Sequence, residues 1–268
     1  MNLTLNGHSA YAYTGGRDIA PAQPTLVLLH GALNDHSVWA LQSRWFAHHG
    51  YNVMAVDLAG HGRSDGPPCG SVEAYAEWLL AFTQAAGIER FAVAGHSMGS
   101  LIALECAARA GEHVTHLALL ATAYPMKVSD ELLQTSLRDP EQAMRMVNQW
   151  SFGTMAAKPS LPGPGAWLHG SAYRLMQRMQ AGGGAVNVFH NDFVACNAYA
   201  GGERAAAAVR CPVMFVLGSK DMMTPPRAVK ALQAALPSAH TVTLPAGHHL
   251  MAEQPDAVLR ALRQCVGA

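Results

Sequence analysis

Apolar residues along this chain fall into short, nearly unbroken runs, separated by longer stretches in which they recur every third or fourth position. The runs at 25–29, 51–56, 90–94, 114–120, 213–217 and 240–244 carry the aliphatic, aromatic and β-branched residues of strands buried on both faces of a sheet. Segments 37–49, 71–86, 98–110, 226–236 and 256–265 carry the helical period instead. This alternation predicts an α/β fold: a mostly parallel central sheet of about eight strands, flanked by helices. Two shorter runs, 3–5 and 9–13, predict an antiparallel hairpin at its edge.

The rhythm stops after Ala123 and resumes near Arg210. Between them stand Asp139-Pro140, Lys158-Pro159, Leu161-Pro162-Gly163-Pro164-Gly165 and Gly182-Gly183-Gly184, breakers that mark an inserted, mostly helical segment. The chain therefore divides into a first part of the core at 1–122, a helical lid at 123–196 after the sixth strand, and a second part of the core at 197–268. Met126, Met144, Met146, Met155, Met176 and Met179 fall in the insert; such flexible side chains suit an adaptable apolar surface and equally suit ordinary helix packing. The alanine run at 205–208 fits a helix.

Composition narrows the partners. The 18 Lys+Arg balance 18 Asp+Glu, so no net field gathers nucleic acid or an anionic membrane. A small-molecule substrate is expected, bound by a monomer or homodimer. Charged residues make up 13% of the 268 and hydrophobic ones 50%, against roughly 25% charged in ordinary soluble domains; an apolar cleft, a large core or a subunit contact would each account for this. Residues 1–16 lack a basic-then-apolar leader and no apolar run is long enough to span a bilayer, so a cytoplasmic location is expected. The five cysteines lack CxxC spacing, which predicts free thiols. His48-His49 and His113-x-x-His116 lack the partners of a zinc site. No metal and no cofactor is expected.

The strongest local signal is Gly95-His96-Ser97-Met98-Gly99, which lies directly between a strand and a helix. So sharp a turn strains its central residue, and the glycines remove side chains that would collide. Ser97 would then stand at the sheet edge, beside a helix N-terminus that favours developing negative charge. A serine hydroxyl needs a base, and the base needs an acid to orient it. Asp221 follows the strand at 213–217 and His248-His249 follows the strand at 240–244, so Ser, Asp and His each occupy a loop at the carboxyl edge of one sheet. Spacing alone leaves His248 and His249 both open. After the strand at 25–29, His30-Gly31-Ala32-Leu33 turns toward the same point, which assigns an oxyanion hole to the backbone N–H groups of Ala32 and Met98. Adjacency to these motifs nominates Leu33, Trp39, Met126, Met222, Met223 and Leu250, with Met98, as pocket residues.

Four motifs together resemble the α/β-hydrolase family with a lid: His30-Gly31, the stretch from Asp57 to Ser64 (Asp-Leu-Ala-Gly-His-Gly-Arg-Ser), the Gly95–Gly99 turn, and Gly247-His248 with Glu253 and Pro255. The resemblance covers nearly the whole chain. It implies that the catalytic histidine is His248, which directly follows the glycine and precedes a Glu by five residues. It also implies that the insert roofs the site, and that Asp57 and Arg63 are structural. Serine at the turn, where related epoxide hydrolases and haloalkane dehalogenases carry Asp, argues against those activities. Hydrolysis of a carboxylic ester with an apolar acyl or alcohol part is the expected reaction. Thioesterase, C–C bond hydrolase, perhydrolase and cyanohydrin-cleaving chemistry are alternatives on the same triad, and a non-catalytic ligand-binding protein is the alternative of another class.

Overall fold

Asn6 and Gly7 both have positive φ, 50° and 82°, and form the two-residue turn that pairs Leu5 with His8. It closes β1 (Asn2–Leu5) and β2 (His8–Tyr13) into the expected hairpin. The computed structural model describes residues 1–153, 167–184 and 186–268. Six further strands complete the sheet: β3 (Thr25–Leu29), β4 (Asn52–Val56), β5 (Phe91–His96), β6 (Val114–Leu120), β7 (Val213–Gly218) and β8 (His240–Leu244). The spatial order is β1-β2-β4-β3-β5-β6-β7-β8. β1 and β2 are antiparallel and β3 to β8 run parallel.

The unbroken apolar runs have a simple cause. Strand residues alternate between faces, and here both faces are covered. Val27, Leu29, Val93, Leu117 and Phe215 pack on one side, against α2 (Val72–Ala85), α3 (Met98–Ala110), α8 (Gly202–Ala208) and α9 (Lys230–Ala235). Leu26, Leu28, Ala94, Ala118 and Val216 pack on the other, against α1 (Ala40–Ala47), α10 (Leu250–Glu253) and α11 (Pro255–Val266). β8 departs from this expectation: His240, Thr241 and Thr243 are exposed, because an edge strand has no neighbour beyond it.

Between β6 and α8 lie α4 (Asp130–Arg138), α5 (Pro140–Ser151), α6 (Leu168–Gly182) and α7 (Val188–Ala198). Local sequence starts three of them. Ser129 accepts the Leu132 N–H, Asp139 accepts the Gln142 N–H with Pro140 at the first helical position, and Asn187 accepts the His190 N–H. Asp139-Pro140 thus begins a helix rather than merely ending one. The insert has its own core of Leu132, Met144, Val147, Met176, Met179, Phe189 and Phe193; Met155 and the prolines of 158–164 lie outside the described residues. Among the described residues no helix is long and apolar enough to cross a membrane, and all five cysteines are free thiols.

β3 sits between β4 and β5, so the chain order reverses there and leaves a crevice at the carboxyl ends of β3 and β5. The register pairs Leu29 with Gly95. The loops that follow these two strands therefore face each other.

Candidate functional site

Ser97 has φ 53° and ψ −121°, a strained combination for any residue with a side chain. Its surroundings hold it there. Its N–H donates to Leu120 O at 2.9 Å, and its carbonyl accepts the Ser100 hydroxyl at 2.5 Å. A Cβ on Gly95 would lie 2.0 Å from Gly99 O, and one on Gly99 would lie 2.4 Å from His30 O. The glycines thus let β5, α3 and the β3 loop meet. Met98 opens α3, so its N–H has no acceptor within the helix.

Asp221, in the loop after β7, is buried among donors. Its Oδ1 accepts the Met223 and Thr224 N–H groups, both at 2.8 Å. Its Oδ2 accepts the His248 Nδ1–H at 2.8 Å, with Thr224 Oγ1 at 2.7 Å. Burial alone would raise its pKa, but the His248 ring and these hydrogen bonds prevail and hold the carboxyl well below the ordinary carboxylate range. The carboxylate meets His248, not its neighbour His249.

The His248 loop is fastened on three sides. His248 N–H donates to Ser151 O at 2.7 Å. The buried His96 Nε2–H donates to His248 O at 2.8 Å. Glu253 accepts the Gly247 N–H and the Gly153 N–H, each at 2.9 Å. Across the crevice, His30 Nδ1–H donates to Gly31 O at 2.8 Å and its Nε2 accepts the Leu58 N–H at 3.1 Å, which makes the ring neutral. Burial, with the His61 charge beside it, pushes His30 down to about 4.

Ser97, His248 and Ala32 line one cavity. Its apolar walls are Met126, Leu132, Val147, Trp150, Met176 and Phe193 from the insert, with Met222 and Met223 beyond β7. Three expected pocket residues lie elsewhere. Trp39 and Leu250 are buried in the core under the sheet, and Leu33 packs into the core of the insert. Residues next to a motif in sequence need not face the same way. Met98 is also buried in the core and is not among the residues lining the cavity.

Several residues of this region were not anticipated. Thr224 donates to Asp221, and His96 and Ser151 hold the His248 backbone from far off in sequence; the short Asp221-x-x-Thr224 spacing is the local sign of the first, and the other two have none. Asp57 is buried and accepts the N–H groups of His36 and Arg63 at 2.7 and 2.9 Å and the His36 ring at 2.8 Å, which holds its loop together. His249 lies in the cavity wall; burial and then the neighbouring His248 push it down to about 3.

These buried rings make stability fall with acid. A histidine kept neutral in the fold adds stability that is whole above its ordinary pKa of 6.5 and is lost as pH falls toward its folded value. For His30 alone this is about 3 kcal/mol. Urea unfolding should show a decline from pH 6.5 toward 4, and His249→Phe should flatten it. His61 acts oppositely. Burial would lower it, but the Asp192 charge and hydrogen bond prevail and raise it, so its contribution is lost as pH rises through that raised value.

The family model described as "alpha/beta hydrolase fold" matches residues 24–162. "Putative carbamate hydrolase RutD" of Klebsiella pneumoniae is 30% identical over 249 residues, covering 85% of each chain. Among solved structures, the enol-lactonase of Burkholderia xenovorans is 21% identical with TM-score 0.82, covering the whole of both chains. The esterase EaEST of Exiguobacterium antarcticum is 18% identical with TM-score 0.83, covering 100% of this chain and 99% of its own. At these identities the two structures speak for the fold.

Proposed function

We propose, from the premise that this chain belongs to the α/β-hydrolase fold family, that it is a serine hydrolase cleaving carboxylic esters with an apolar acyl group. The observation that carries this reading is the 2.8 Å pair of buried Asp221 and His248, whose histidine lines the same cavity as Ser97.

In the proposed cycle His248 Nε2 takes the Ser97 proton as Oγ attacks the substrate carbonyl. Asp221 fixes the Nδ1–H tautomer and stabilises the imidazolium that forms. The oxyanion is held by the amides of Ala32 and Met98, each worth on the order of 3 kcal/mol to the transition state. The imidazolium then protonates the leaving alcohol. Water, deprotonated by His248, attacks the acyl-enzyme and releases the acid and Ser97.

Side chains lining the cavity favour the acyl part proposed. Methionines, Leu132, Val147 and Phe193 surround it, and an apolar chain gains about 0.8 kcal/mol for each methylene they bury. The RutD name brings a second reading, a carbamate, whose carbonyl the same groups would attack. With p-nitrophenyl acetate, butyrate and octanoate and a p-nitrophenyl carbamate, kcat/KM is expected to rise from acetate to butyrate. A carbamate turned over faster than every ester would replace the ester reading. If no member reacted faster than with Ser97→Ala, the enzyme reading would fall and ligand binding would stand in its place.

A further inference from the structure

Asp192 lies on α7, within the insert, and is fully buried. Its partners come mostly from the core. Oδ2 accepts the Leu33 N–H at 2.9 Å and the His61 Nε2–H at 2.8 Å. Oδ1 accepts the Tyr75 hydroxyl at 3.3 Å and the Asn191 side-chain amide at 3.5 Å. His61 Nδ1 faces Ala59 O at 3.0 Å, so both ring nitrogens face acceptors and the ring is an imidazolium. A buried carboxylate is costly without such partners, which commits α7 to one position above the β3 loop.

What this fixes follows from peptide geometry. The C=O and N–H of a trans peptide point opposite ways, so holding either end orients both. The His30 bond to Gly31 O thereby aims the Ala32 N–H at the other end of that peptide. The next peptide is held at both ends: Asn34 Nδ2 donates to Ala32 O at 2.9 Å, and Asp192 accepts the Leu33 N–H. Leu33 has φ 56°, a left-handed conformation that a bulky residue keeps only under constraint. His30 and Asn34 belong to the loop itself. The third fastening comes from the insert.

We propose that Asp192 is a positioning residue for the Ala32 amide, so that docking of α7 completes the oxyanion hole. The inference rests on the reading of Ala32 and Met98 as oxyanion donors. With α7 undocked, the Ala32–Leu33 peptide loses one of its two holds, Leu33 relaxes toward negative φ, and the loop that carries the Ala32 N–H is held by His30 and Asn34 alone.

The test compares wild type, Ser97→Ala, Asp192→Ala and Asp192→Asn in kcat and KM for p-nitrophenyl butyrate and in the rate of labelling by a fluorophosphonate, each per folded molecule. Asp192→Ala is expected to lose on the order of 10²-fold in kcat and in labelling, as for one lost oxyanion donor, with KM within about threefold. Asp192→Asn, whose amide oxygen still accepts from Leu33, should recover to within about tenfold of wild type. A merely structural role would lower the folded fraction and leave kcat per folded molecule unchanged, and that result overturns the proposal. Should Asp192→Ala not fold, hydrogen exchange of the wild type decides. Phosphonylating Ser97 should slow exchange in residues 188–198, and unchanged exchange there overturns the coupling. A wild type labelled no faster than Ser97→Ala overturns the serine reading and this proposal with it; a reactive wild type with a fully active Asp192→Ala overturns this proposal alone.

Discussion

Ser97→Ala is expected to lower kcat by on the order of 10⁵ or more, about 7 kcal/mol of transition-state stabilisation, while leaving urea stability within about 0.5 kcal/mol. The asymmetry comes from the site itself. In the proposed cycle the hydroxyl forms the covalent bond, whereas the fold holds residue 97 through its backbone, by the bonds to Leu120 and Ser100. Alanine keeps both. Residual turnover in the variant should come from the oxyanion amides and from binding. Steady-state kinetics beside a urea titration measures both quantities on one preparation, and a variant within tenfold of wild type would remove Ser97 from the chemistry.

The largest loss of stability is expected at Gly95. A Cβ there meets Gly99 O at 2.0 Å and Gly99 C at 2.4 Å. Both are backbone atoms, so relief requires α3 to move away from β5. Gly95→Ala should therefore cost about 4 kcal/mol or more. Gly70→Ala is the control, because a Cβ there has nothing within 4 Å; it should change stability by less than about 0.5 kcal/mol. Equal midpoints for the two variants would contradict the packing of the Gly95–Gly99 turn.

What could be read in the sequence was whatever a short window encodes. β3 to β7 were legible because helices cover both faces of the sheet, and each strand became a run of apolar residues. The Gly95–Gly99 turn was legible because its steric demand spans five residues. Asp221 and the pair His248-His249 are placed by the strands before them, and only the family resemblance separates the two histidines. β8 was legible at the same bounds, 240–244, but not its burial: its edge position exposes His240, Thr241 and Thr243, where strands covered on both faces were expected. Leu33, Trp39 and Leu250 misled because adjacency to a motif does not set where a side chain points. Asp192 stands 159 residues from Leu33, and its only local sign is a carboxylate set between the apolar Phe189 and Phe193. The role of Ser151 is invisible in principle, since it acts through a carbonyl that every residue has.

That carbonyl bears on how such a protein could diversify. The His248 amide hangs from the end of α5, and a Cβ on Gly247 would lie 2.4 Å from Gly153 N and 2.6 Å from Ser151 O. The contact is backbone to backbone, so the side chains of α5 and α6 are free to drift and reshape the cavity wall without disturbing His248. A recombined protein that borrowed its roof from a relative would keep the His248 loop in place wherever the splice fell, provided the borrowed backbone set a carbonyl and an N–H where Ser151 O and Gly153 N stand.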